Sequence, residues 1–133
     1  GAVAAALARR GGPKAPRLYL LDADAIALEA AKENVPSARK VWLSDAWSDL
    51  PADATFDWIV SVPPVRLEPR PDLAVLSALL AEGPRRLRPG GALHLVARTE
   101  VPVGLLAPEG CGAPAECVWS DGHLTVWRLP PAK

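Results

Sequence analysis

The chain has 133 residues, 50% of them hydrophobic, with 15 basic and 15 acidic side chains and a formal net charge of zero. That length and mix fit one globular domain and exclude a disordered chain. The zero balance also removes the usual footprint of a dedicated nucleic-acid binder, and no apolar run approaches the roughly 20 residues of a membrane span.

Ala2–Arg10 is built from strong helix formers and ends before Gly11-Gly12-Pro13, a helix stop. It lacks the basic start of a signal peptide and is read as a helix. Arg17–Leu21 is a short apolar run and reads as a buried strand. Asp22 and Asp24 follow, and Ile26–Asn34 is a predicted helix that either aspartate can cap. Lys40–Leu43 is a second short strand, and Phe56–Val62 is the clearest strand of the chain. Asp72 opens a helix that runs towards Leu87, with Pro84 kinking or restarting it.

Arg88-Pro89-Gly90-Gly91 is a predicted turn and Ala92–Ala97 a strand. Past Pro102 the chain reads as irregular, until Glu116–Trp119 and Leu124–Arg128 form a hairpin around Ser120-Asp121-Gly122. Cys111 and Cys117 are too few for a zinc cluster and are read as free thiols of a cytoplasmic protein. No metal site is expected. Strands alternating with helices predict an α/β fold, with a mostly parallel sheet covered on both faces and an antiparallel hairpin at its end.

Ligands of such sheets bind at the carboxyl ends of the strands, and three features of the sequence fall there. Asp22 can accept both hydroxyls of a ribose, or cap the following helix. Asp45, in Ser44-Asp45-Ala46, can accept from an adenine amino group, or serve as a turn aspartate. Ser61-Val62-Pro63-Pro64-Val65 leaves the strongest strand on a stiff proline pair without amide donors, whose carbonyls can act as acceptors or simply fix the strand exit.

Trp47, which follows Asp45, is kept as a candidate stacking residue, and the remaining candidates are read as structural. Trp42, Trp58 and His94 fall within strands and are expected in the core. Arg85, Arg86 and Arg88 are expected as a solvated helix end.

In order and spacing, Arg17–Asn34, Trp42–Trp47, Phe56–Pro64 and Leu87–Val96 resemble successive motifs of the class I, Rossmann-like methyltransferases of the "methyltransferase small" group. The likeness is strongest to the catalytic domain of the guanine-N2 methyltransferases of small-subunit ribosomal RNA. That resemblance covers nearly all of residues 1–133. It implies S-adenosylmethionine as cofactor, ribosomal RNA as partner and a guanine exocyclic amine as methyl acceptor, by in-line displacement at the sulfonium methyl. It also implies that Asp22, with Ala23 beside it, holds the ribose and Asp45 the adenine amino group. Ala46 donates its amide to the adenine ring, and Gly1 ends a glycine-rich turn near the methionine half. Ser61 to Val65 then hold the target base, with Ser61 also counted with the cofactor.

Against the family pattern, the domain is expected to continue upstream of Gly1, where the resemblance places a first strand and an acidic, glycine-rich turn. Val62 stands where the family has asparagine, and Val65 where it has an aromatic residue. Valine accepts no hydrogen bond. Two readings therefore follow: a methyltransferase acting on RNA, and a catalytically inactive domain of the same fold that serves as a structural or RNA-binding module. A nicotinamide-dependent dehydrogenase fits poorly, because no Gly-x-Gly-x-x-Gly is present.

Overall fold

The computed structural model describes residues 2–9, 17–22, 24–44 and 47–132, of which Ala2, Val3 and Asp22 are described by backbone alone. The chain divides into two units, residues 1–51 and residues 52–133.

The first unit contains α1 (Ala2–Arg9), β1 (Tyr19–Asp22), α2 (Ala25–Asn34) and β2 (Lys40–Leu43). β1 and β2 pair in parallel, from Tyr19 opposite Lys40 to Asp22 opposite Leu43, with α2 as the crossover between them. Parallel neighbours need such a crossover. The helix start is fixed by Asp24, whose carboxylate accepts from the amides of Ile26 at 2.9 Å and Ala27 at 3.2 Å. One of the two candidate caps is thus settled. Leu20 of β1 and Leu28, Ala31 and Val35 from α2 and its end form the core here, backed by small residues Ala4, Ala5 and Ala8 of α1. Alanine at these positions lets α1 approach closely, at no cost in side-chain entropy.

The second unit contains β3 (Phe56–Ser61), α3 (Ala74–Glu82), a 3-10 turn (Gly83–Arg86), β4 (Leu87–Arg98), α4 (Val103–Cys111), β5 (Glu116–Ser120) and β6 (Leu124–Leu129). Its strand order is β3-β4-β6-β5. β3 and β4 are parallel, while β6 is antiparallel to both β4 and β5. The sheet is therefore mixed, with the expected hairpin at its edge. Along β4, Leu93, Leu95 and Ala97 are buried and alternate with half-buried Ala92, His94 and Val96, the period of two that a sheet imposes. The side with Leu93, Leu95 and Ala97 is thus the more deeply buried.

α3 stops at Glu82, short of Leu87, and the chain continues as the 3-10 turn with Pro84 near its start, the restart expected there. The predicted turn at Arg88–Gly91 is a bulge inside a longer strand. Between the pairs Phe56–Leu87 and Trp58–Ala92 the register shifts, and Gly90 takes φ of 82°. Gly91 lies against the next strand: a Cβ there would meet the Asp57 carbonyl oxygen at 2.6 Å. Only glycine permits that approach.

The stretch past Pro102 is not irregular, for it holds α4 with Pro108 inside it. Packing supplies the stability that propensity withholds. Val103 and Ala107 are fully buried, and Gly110 brings the helix onto Leu80 of α3, where a Cβ would sit 3.0 Å from that side chain.

Three further expectations are corrected. Trp58 is 48% exposed and is not a core residue. Trp42 is only half-buried, stacked on Tyr19 of the neighbouring strand at 5.8 Å between centroids. Arg86 is buried rather than solvated, pairing with Glu82 at 3.5 Å and donating to the Ala54 carbonyl at 3.3 Å. Arg88 does stand in solvent, bridged to Asp57 at 2.9 Å. Cys111 and Cys117 are free thiols.

Candidate cofactor and acceptor sites

In the first unit, β1 and β2 run side by side and end together. Asp22 is the last residue of β1 and stands in register with Leu43, the last of β2. The segment Ser44-Asp45-Ala46 follows directly. The strand ends at Asp22 and Leu43 are therefore adjacent carboxyl ends, where ligands of parallel sheets bind. Since Asp24 performs the capping, Asp22 is not needed for it. The Asp22 side chain, and Gly1, Ala23, Asp45 and Ala46 entirely, lie outside the described residues. Ser44 is buried, and its hydroxyl accepts from the Asp49 amide at 3.1 Å, which pins the turn after β2. Sequence reasoning gave Ser44 no such part. A hydroxyl just after a strand and before a turn is the signal that marks it.

In the second unit, Ser61 closes β3 opposite Leu95. Val62 follows at 62% exposed, Pro63 is buried, Pro64 is exposed and Val65 half-buried. Beyond them the backbone folds back on itself. The Asp72 amide donates to the Arg66 carbonyl at 2.7 Å, and the Arg66 amide to the Asp72 carbonyl at 3.2 Å. The Arg66 Nε donates to the Arg70 carbonyl at 3.1 Å, and the Glu68–Pro69 peptide within the loop is cis. This closure leaves a hollow of about 190 Å³ lined by Pro64, Val65, Arg66, Asp72 and Val75. Of the five residues predicted to hold the target base, two line it; Ser61, Val62 and Pro63 do not. Arg66 and Asp72 went unrecognised, because only the closed loop brings them together.

On the β3–β4 pair, the Trp58 indole donates to His94 Nδ1 at 2.7 Å, with the rings edge to face. Accepting through Nδ1 requires the neutral imidazole carrying its proton on Nε2. Burial pushes the His94 pKa below its ordinary 6.5, and the neighbouring Arg128 cation adds to the effect. The unfolded chain therefore binds the proton more readily than the folded one. The stability this conveys is present above about pH 6.5 and fades as the pH falls through the lowered folded value. Thermal unfolding should accordingly shift to lower temperature on acidification, and His94→Gln should flatten that dependence. An unchanged slope in the variant would assign the acid sensitivity to other groups.

Among the described residues, no group of three His, Cys, Asp or Glu could hold a metal ion, and no helix is long and apolar enough to cross a membrane.

The elements of both units, together with the terminal hairpin, define the Rossmann-like methyltransferase fold. Solved structures bear this out. The chain is similar to the T. thermophilus 16S rRNA N2 G1207 methyltransferase RsmC, solved in complex with AdoMet and guanosine, with a TM-score of 0.77, 24% identity, and coverage of 93% of this chain and 33% of that one. It is also similar to the N-methyltransferase NodS of Bradyrhizobium japonicum, with a TM-score of 0.60, 19% identity, and coverage of 88% of this chain and 74% of that one.

The profile of the family described as "Methyltransferase small domain" matches residues 1–107, and the chain belongs to that family. Two relatives, both named ribosomal RNA small subunit methyltransferase C, are similar in sequence. The one from Chromohalobacter salexigens is 34% identical over 94 residues, covering 68% of this chain. The one from Photorhabdus laumondii is 30% identical over 131 residues, covering 96% of it. The chain spans 28% and 37% of the length of these relatives.

Proposed function

We propose that the chain carries the cofactor-binding and acceptor-binding parts of an S-adenosylmethionine-dependent methyltransferase that modifies a guanine exocyclic amine in ribosomal RNA. Membership of the family supports methyl transfer, and the names of its relatives support ribosomal RNA as substrate. The observation that carries the reading is the shared end of β1 and β2, where Asp22 stands in register with Leu43; Asp45 lies two residues further along the sequence. A nucleoside has one hydroxylated and one amino-bearing end, and in this reading one carboxylate serves each.

S-Adenosylmethionine, when bound, supplies an electrophilic methyl group. In this reading Asp22 accepts from the ribose hydroxyls, Asp45 accepts from the adenine amino group, and Ala46 donates its amide to the adenine ring. Gly1 and Ala23 lie beside the cofactor. Ser61-Val62-Pro63-Pro64-Val65 holds the acceptor base, and its prolines keep the segment rigid, so that orientation rather than proton transfer is the main contribution.

Val62 favours a second reading, in which the domain keeps the fold and the cofactor site but serves as a structural or RNA-binding module. An exposed valine cannot accept from an amine awaiting methylation. Both readings require cofactor binding. Calorimetry on the full-length protein should give micromolar affinity for S-adenosylhomocysteine, abolished by Asp22→Ala. Absence of binding by the unsubstituted protein would overturn both.

A further inference from the structure

We infer that the hollow between the proline pair and α3 is a single-base pocket in which Asp72 selects guanine by accepting from its donor edge. This rests on reading the chain as a guanine methyltransferase and adds to it the residue that chooses the base. The hollow of about 190 Å³ lies below the range of pockets for drug-sized ligands, and it opens to solvent, with Pro64, Arg66, Asp72 and Val75 exposed, so that one flat ring system could lie against it. Its walls are unequal in chemistry. Pro64, Val65 and Val75 offer apolar surface to the ring faces, while Arg66 and Asp72 supply the charge.

Asp72 is exposed at the rim of the hollow, and its backbone and one side-chain oxygen are tied down. Its backbone makes both hydrogen bonds with Arg66, and its Oδ1 accepts from the Ala74 amide at 3.2 Å, at the start of α3. Oδ2 has no partner among the described residues. A carboxylate anchored through one oxygen keeps the other, and a lone pair on the first, for a ligand. Guanine is the base whose Watson–Crick edge places an N–H and an amino group together, two donors for two oxygens. Adenine and cytosine offer an amino group beside a ring acceptor, which a carboxylate repels. Arg66, fixed through Nε on the Arg70 carbonyl, adds a cation suited to the nucleotide's phosphate.

The test compares guanosine with inosine, which keeps the ring N–H and lacks the amino group. Binding is measured by calorimetry on the full-length protein saturated with S-adenosylhomocysteine. Guanosine should bind at least about fivefold more tightly than inosine, the discrimination expected of one well-formed polar contact to a base. In Asp72→Asn the side-chain oxygen can still cap Ala74, so the helix start is preserved, but an amide N–H2 replaces the free acceptor. The preference should then vanish or reverse, with S-adenosylhomocysteine affinity and melting temperature unchanged. A variant that keeps the guanosine preference, equal binding of the two nucleosides by the unsubstituted protein, or failure of guanosine to bind while the cofactor product does, would each overturn the inference. Failure of S-adenosylhomocysteine itself to bind would instead overturn the methyltransferase reading beneath it.

Discussion

Val62→Asn should raise the rate of methyl transfer to ribosomal RNA by about a hundredfold or more, the usual worth of one positioned hydrogen bond in a reacting complex. The side chain is 62% exposed just past the end of β3, so the asparagine amide meets no steric obstacle and costs little in stability. It places an oxygen acceptor between Ser61 and the rigid Pro63-Pro64 pair, where valine offers only methyl groups. The measurement is transfer of labelled methyl from S-adenosylmethionine to ribosomal RNA at saturating cofactor. Cofactor affinity should not move, since the change concerns the acceptor. A large gain would show that the rest of the machinery is intact. A rate that stays at background in both forms would favour the module that binds without reacting.

Leu93→Ala is expected to have the largest effect on stability. Leu93 is fully buried on β4, between Ile59 of β3 and Leu129 of β6 in the sheet register. Removing its side chain loses the transfer energy of the buried carbons and leaves a cavity that a paired strand cannot collapse to fill. The cost is about 2–5 kcal/mol, against a total stability on the order of 5–15 kcal/mol for a protein domain. Urea titration should show a much lower midpoint with an unchanged slope. Leu105, on the exposed side of α4, is the control: Leu105→Ala should shift the midpoint little. Equal losses at the two positions would mean that the sheet is not the seat of the core.

Most elements were legible because each had a local cause. Short apolar runs gave the strands, Asp24 gave the start of α2, Pro84 the restart after α3, and Ser120-Asp121-Gly122 the hairpin, where Asp121 accepts from the amides of His123 and Leu124. What escaped depends on tertiary contacts. α4 contains Gly104, Pro108 and Gly110, a composition that argues against a helix, and it forms because glycine lets it lie close to Trp127 and Leu80. Trp58 looks like a core residue from its place in a strand, yet its polar edge is committed to His94. Arg86 looks like a surface residue, but the Ala54 carbonyl and Glu82 receive its charge.

The site divides along the same line. Asp22 is marked as a candidate by standing directly after an apolar run, and the structure describes its backbone alone. Asp72 read only as a helix opener, since its backbone pairing with Arg66 six residues away appears only in the folded loop.

The two hydrogen bonds between Arg66 and Asp72 form a neck that isolates the five residues beyond it, 67–71, from the strand before and the helix after. Changes in that tip need not disturb either support. A few positions there can thus be rewritten independently of the elements that flank them, a freedom open to natural drift and to a designer alike.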